Sequence, residues 1–457
     1  MSHTQDGTVP AEDPTGTEPS NAQLWRWSFV AAMAGFIDAG SIVATGVGAL
    51  VWAGAFGFGD TYVGVLGAIG PNAMAAGVGA LVGGWICDKY GRKKIYAYDL
   101  LLYMVGTLVI AFAFDQVSLS VGFVLVGLAV GADIPASWSL VTELSPAQKR
   151  GRLGSLSQVL WYAGPVTVLL LGLWLTQYGL TGIRLLFGFL FLVALATYIM
   201  RQGIAESARW KHMHAGQKAG ATRTRTIGDD YRELLSKRGL RPLLMLLGVY
   251  GFWNLFAGTN GFYLPFLMQQ YGSLSEAASI GLQCLYFGLT IAATLCVFVP
   301  LIDRVNRRVL FAAGSLATLL GALMLALFAV SPATVTAYII ITGLAQGLGA
   351  QHFFQLWSGE EFPTRLRATA QGCVMGVVRL TLGVWSFFVP VIAAATGSFQ
   401  VVALILSGFL LISTVIGVVW GRNLRGETLE QIEVDSGWSS DGTPFDEKQA
   451  LRVGRGG

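Results

Sequence analysis

Gly84-Trp-Ile-Cys-Asp88-Lys-Tyr-Gly91-Arg92-Lys93 closes one long apolar run, and Pro300-Leu-Ile-Asp303-Arg304-Val-Asn-Arg307-Arg308 closes another. Each sets a carboxylate at the end of a hydrophobic segment with arginines directly behind it. A second motif also occurs twice, as Glu143-Leu-Ser-Pro146-Ala-Gln-Lys-Arg150-Gly151 and as Glu360-Glu-Phe-Pro363-Thr-Arg-Leu-Arg367. Two unrelated motifs that recur in the same order, after corresponding apolar runs, mark a duplicated chain.

Outward from these loops the apolar runs themselves can be counted. A helix needs roughly 20 apolar residues to cross the hydrocarbon of a bilayer. Runs of that kind are predicted at Phe29–Trp52, Tyr62–Ile86, Ile95–Phe114, Leu119–Val141, Leu153–Leu175 and Ile183–Met200. After a polar stretch they resume at Leu243–Met268, Ile280–Leu301, Val309–Val330, Thr334–Trp357, Ala368–Ala395 and Val401–Trp420. The expectation is an all-α membrane protein of twelve spans in two six-helix bundles, 25–204 and 242–421. Basic residues cluster in every second connection, at Lys89 to Lys94, Lys149 to Arg152, Arg304 to Arg308 and Arg365 to Arg367, with Arg184 the exception on the other side. Because Lys and Arg stay cytoplasmic in short loops, both termini and the basic 205–241 linker are expected in the cytoplasm. Residues 1–24 read as a disordered tail without a cleavable signal, and 422–457 as a second cytoplasmic tail.

Composition agrees with a life in lipid. Of 457 residues 54% are hydrophobic and 12% charged, about half the charged share usual in soluble chains. The net charge of +4 is small and its basic residues form no patch with interleaved aromatics, so nucleic acid is not an expected partner. Cys87, Cys284, Cys296 and Cys373 lie in apolar runs without metal-ligand spacing and read as packing residues, with no metal and no cofactor. G-x-S-x-G, H-E-x-x-H and the phosphate-loop motif are missing from the sequence, which argues against an enzyme.

On the Gly84 to Lys93 motif and its copy, the chain resembles the major facilitator superfamily over residues 25–435. Glu206-Ser-Ala-Arg209-Trp210 and Arg425-Gly-Glu-Thr-Leu-Glu430 resemble segments of its sugar porter family. The surroundings of Asp38, Asp133 and Arg379 look most like bacterial inositol-transporter-type members. The resemblance implies a major facilitator fold whose halves rock about a central site. It also implies that Asp88, Arg92, Glu143, Arg152, Asp303, Arg304, Glu360 and Arg367 latch the halves together. Val305-Asn306 replaces the glycine turn in the second copy, so the latch there is expected to be weaker.

An ionisable group inside a span is costly and is a functional candidate by default. Asp38, Arg379 and Asp133 are three such groups. Asp38 matches the span-one carboxylate of proton-coupled relatives, while Phe123 stands where their span-four arginine would be. Arg379 is therefore expected to supply the missing positive charge, with Asp38 as proton carrier. A permanent structural pair, and an anion clamp built on Arg379, are the alternatives. For a solute rich in hydroxyls, amide and aromatic groups are the expected contacts. The resemblance points to Gln158 and Trp161 in span five, Asn254 and Asn260 in span seven, and His352, Gln355 and Trp357 in span ten. His352 is more simply a buried hydrogen-bonding partner. The function these residues imply is proton-driven import of a sugar or cyclic polyol by alternating access, as a monomer in the inner membrane, with the proton gradient as energy source. An organic-acid symporter, a facilitative uniporter, a drug exporter and a sugar sensor are the rival readings.

Overall fold

The computed structural model describes residues 21–58, 60–145, 149–202, 226–270, 274–424 and 426–438. The tail 1–20, the segment Glu206 to Trp210 with most of the basic linker, and the side chain of Arg92 lie outside the described residues.

Ten helical segments are long and apolar enough to cross a membrane. One of them, Arg150–Arg201, divides at Thr176–Tyr178 into two spans, and the shorter apolar stretch Tyr98–Ala111 lies within the helix Arg92–Ala111. With these the described chain has the twelve spans the apolar runs predict. Span one is Asn21–Phe56, span two Asp60–Ile69 and Met74–Tyr90, span three Arg92–Ala111, span four Gln116–Leu144, span five Arg150–Leu175 and span six Gly179–Arg201. Span seven runs through Lys237–Leu246, Leu247–Gly251 and Phe252–Gln270, and span eight through Glu276–Ala293, Thr294–Phe298 and Val299–Leu301. Span nine is Arg307–Leu327, span ten Pro332–Gln346 and Ala350–Glu360, span eleven Arg367–Thr396 and span twelve Phe399–Trp420.

The helices start and stop where local chemistry dictates. Asp115 accepts from the Ser118 amide at 2.8 Å while Ser118 returns a bond to the Asp115 backbone, a reciprocal cap that starts span four. Bonds from Ser118 hold the half-buried Asp115 carboxyl below its usual range, the Ser118 hydroxyl contributing most. Ser331 and Thr334 cap span ten in the same way, with Pro332 at the first helical position.

Four spans are irregular. Span two breaks at 70–73, span ten breaks at 347–349, and spans seven and eight each carry a π-helical turn, at Leu247–Gly251 and Thr294–Phe298. Such turns shift the side-chain register and recur at functional sites, and non-helical backbone at membrane depth needs protein partners.

Within the first half, spans one and five, two and four, and three and four pack most closely; in the second, nine and twelve, eight and ten, and nine and ten. The halves meet mainly along spans two and eleven, with five against eight beside them. Spans two and eleven approach backbone to backbone through glycine. A Cβ on Gly84 would stand 2.3 Å from the Ala368 carbonyl oxygen, and one on Gly372 would stand 2.2 Å from that of Ala80. Neither backbone can yield to a side chain, so close apposition of the halves depends on these two residues. Gly84→Val is expected to cost the closed arrangement about 1–3 kcal/mol and to slow transport by about tenfold or more, read by initial uptake in vesicles normalised to membrane expression.

Candidate functional site

Asp38 of span one is 1% exposed and meets Arg379 of span eleven, whose Nη2 donates to Oδ2 at 3.1 Å and lies 3.5 Å from Oδ1. The Trp161 indole of span five donates to the same Oδ2 at 3.0 Å. The other arm of Arg379 donates to the Asn72 side-chain oxygen at 2.6 Å and to the Asn72 carbonyl at 3.2 Å. Asn72 sits in the break of span two, so the missing helical turn exposes a carbonyl to the guanidinium. The cation beside Asp38 comes from the opposite half, and the pair ties the halves together across the interface.

A second bridge between the halves lies on the same stretch of span five. Gln158 donates from Nε2 to Gln355 Oε1 at 2.6 Å. One turn on, the Tyr162 ring stacks on His352 at 6.1 Å. His352 Nε2 lies 3.1 Å from the Thr294 hydroxyl, presented by the π turn of span eight, and the ring packs on Phe298. The π turn of span seven presents Tyr250, stacked on Phe354 with ring centroids 3.9 Å apart, and just beyond it Trp253 donates to Gln346 at 3.1 Å. Four buried polar atoms in this region have no hydrogen-bond partner among the described residues: Gln158 Oε1, Tyr162 Oη, Asn254 Oδ1 and His352 Nδ1. Native interiors rarely leave such atoms unsatisfied. Two are obligate acceptors, one is a hydroxyl, and one takes either role.

Two expected solute contacts lie elsewhere. Trp357 packs on Phe311 and Phe353 and donates its indole N–H to the Arg422 carbonyl at 2.9 Å, away from the interface of the halves. Asn260 accepts from Tyr338 at 2.5 Å and donates to the Phe256 carbonyl at 3.0 Å. It lines a small cavity inside the second half with Phe256, Ala322 and Tyr338. Helical spacing from Asn254 suggested a shared face; six residues along, the side chain has turned into its own bundle. Asp133 likewise does not join Asp38 and Arg379, because Arg201 of span six binds it at 2.7 Å.

At the face carrying the basic loops the duplication becomes a pseudo-symmetric closure. Asp88 accepts from the Ala368 and Thr369 amides, at 3.3 and 2.7 Å, at the first turn of span eleven. Asp303 takes the Gly151 and Arg152 amides at the first turn of span five. A carboxylate there satisfies unpaired N–H groups and meets the positive end of the helix dipole. Burial pushes the Asp303 carboxyl above its usual value, and Arg307 beside it opposes that shift most. Glu143 binds Arg367 at 3.1 Å, and Glu360 binds Arg150 at 2.9 Å and also Arg307, with all of these side chains buried. Glu360 is thus held by two arginines, one from each half.

Arg150 and Arg307, which are not among the expected latch residues, carry the buried ion pairs to Glu360. Arg152 serves the latch on Asp303 through its backbone amide and its charge, and Arg304 is exposed while Arg307 is buried against Glu360. The spacing held the answer, since Glu143 to Arg150 equals Glu360 to Arg367, and Asp88 to Arg92 equals Asp303 to Arg307.

A family model described as "Sugar (and other) transporter" matches residues 72–435. The minor myo-inositol transporter IolF of Bacillus subtilis is 37% identical over 419 residues, covering 92% of this chain and 95% of that protein. The glucose transporter GlcP of Staphylococcus epidermidis is 25% identical over 393 residues, covering 78% and 86%. The proton:xylose symporter XylE, solved with 6-bromo-6-deoxy-D-glucose, superposes with a TM-score of 0.80 at 16% identity, covering 92% of this chain and all of that one.

Proposed function

The chain belongs to the sugar (and other) transporter family, and from that membership we propose that it imports a cyclic polyol, myo-inositol foremost, by proton symport. The observation that carries this reading is the set of unsatisfied buried polar atoms on Gln158, Tyr162, Asn254 and His352, beside the Asp38–Arg379 pair. A cyclitol presents a ring of hydroxyls, each donor and acceptor at once, around an apolar ring face. Amide and imidazole groups match the hydroxyls, and Trp161, Tyr162 and Tyr250 offer faces for the ring. The 37% identity to a myo-inositol transporter supports the same choice.

Proton coupling follows from charge. While Asp38 is ionised it ties span one to Arg379 on span eleven. Protonation removes that attraction and leaves Arg379 on Asn72, so the halves separate more easily at the centre. Solute bridging Gln158 and Gln355 favours reorientation of the loaded carrier, and the basic-face latches open as the far side closes. In this reading the chain works as a monomer in the inner membrane, with basic loops and both termini cytoplasmic. It performs no chemistry on its solute and needs no cofactor, the proton gradient supplying the energy.

Binding of labelled myo-inositol to purified protein, competed by other cyclitols, hexoses and dicarboxylates, tests the solute class. Displacement by cyclitols alone supports the proposal; displacement by carboxylates alone makes Arg379 an anion clamp and sinks it. Gln158→Ala is expected to weaken solute binding by about tenfold, the value of one hydrogen bond to a neutral group, with the melting temperature little changed. Unchanged affinity would remove Gln158 from the site.

A further inference from the structure

Span three carries a carboxylate with no role in the mechanism above. Asp99 is 5% exposed and faces Asp133 and Arg201 inside the first half. Arg201 holds Asp133 closely, at 2.7 Å, but its nearer arm stays 3.6 Å from Asp99 Oδ2. Asp133 also accepts from Ser137 at 2.9 Å, whereas Asp99 Oδ1 takes the Leu100 amide and Oδ2 has no hydrogen-bond donor among the described residues. The two arms of one guanidinium thus bring both carboxyl groups to the same buried site, Asp133 at 2.7 Å and Asp99 at 3.6 Å. Among the described residues, the other ionisable groups facing the pair are Asp38 of span one, which interacts with Asp133 through the interior, and Tyr103, one turn along span three, bonded to Ser41 at 2.7 Å.

Among the described residues the charges do not balance. A guanidinium stays protonated, so two ionised carboxylates beside one arginine leave a net negative charge buried in a bundle, which like-charge repulsion and desolvation both oppose. A single proton on the pair restores neutrality and gives Asp99 Oδ2 the hydrogen it lacks. By helical rise Asp99 lies about 10 Å from the basic end of span three, between Asp38 and the face of the latches.

We propose that Asp99, Asp133 and Arg201 form a second ionisable station that holds one shared proton and passes protons between Asp38 and the basic-loop face. The transfer conserves charge. A proton leaving Asp38 arrives at the pair, and the one already there departs to water at the basic face. The relay rests on the proton-symport reading, but the shared proton does not.

Infrared spectroscopy of the full-length protein in lipid nanodiscs tests the shared proton directly, through the C=O stretch of a protonated carboxyl at neutral pH. The band is expected in wild type and in Asp38→Asn. It is expected to vanish in Asp99→Asn and in Asp133→Asn, because one carboxylate then faces one arginine, and to shift in frequency in Asp99→Glu. Either asparagine variant suffices if the other fails to fold. A band indifferent to both, or lost only with Asp38→Asn, overturns the station. For the relay, Asp99→Asn is expected to keep solute counterflow and lose gradient-driven accumulation; accumulation at the wild-type level overturns it. If wild type itself shows no gradient-driven accumulation, the symport reading and the relay fail together, and the band alone decides whether the proton is shared.

Discussion

Proteoliposomes carrying Asp38→Asn are expected to equilibrate labelled polyol across the membrane and never to concentrate it, whatever proton gradient is imposed. One-to-one symport can concentrate solute about tenfold for each pH unit of gradient, since a pH unit is worth about 1.4 kcal/mol. The substitution removes the carboxylate that bridges the halves at mid-membrane while keeping its shape. The asparagine oxygen can still accept from Trp161 and from Arg379, which also keeps Asn72. The variant should therefore fold, bind and exchange solute by counterflow, separating lost coupling from lost structure. Normal accumulation in Asp38→Asn would make the pair a structural tie.

Glu360→Gln should produce the largest conformational effect. One carboxylate neutralises two buried arginines, Arg150 from the first half and Arg307 from the second. Removing one partner of a buried ion pair typically costs about 3–5 kcal/mol, mostly because a charge is left unmatched. Here two are left, although Arg150 keeps the Glu427 carbonyl at 3.4 Å and Arg307 keeps Asp303 nearby. Because Glu360 joins the halves only when the basic face is closed, the loss falls on that state. Ser139 offers a reporter, being buried with its hydroxyl on Gln371 at 2.8 Å. In a Ser139→Cys background, Glu360→Gln is expected to speed labelling by a membrane-impermeant maleimide from the basic face roughly 10–100-fold, as a shift of about 1.4–2.8 kcal/mol requires. Equal labelling rates would show that the bridge does not control this face.

The spans were legible because hydropathy and loop charge both report the bilayer, a uniform solvent that imposes the same length and asymmetry on every crossing. Their ends were not, since hydropathy stops at the first charge and a helix need not. Arg201 and Arg307 read as loop residues, yet both belong to helices and are buried on carboxylates from other spans. The break at Asn72 lay within what read as one continuous apolar run, because a helix interrupted beside a buried guanidinium has the same hydropathy as an unbroken one.

Of the site, Asp38 and Arg379 could be named because a charge inside a span is conspicuous. The Gln158–Gln355 bridge joins residues 197 positions apart, and amides at such a distance carry no sequence mark of their pairing. Trp357 and Asn260 misled for a related reason. Their spans line the interface, but a helix also has faces that pack into its own bundle, and a three-residue break or a π turn changes which face a side chain takes. The duplication held a further signal, since equal spacings in the two halves pick out Arg150 and Arg307 as the arginines that meet Glu360.

The most direct measurement is uptake of labelled myo-inositol into proteoliposomes of the wild-type protein with and without an inward proton gradient. Accumulation above the outside concentration that rises with the gradient and is abolished by a protonophore is the expected result. Uptake that only equilibrates, identical with and without the gradient, would contradict symport and leave a facilitative carrier.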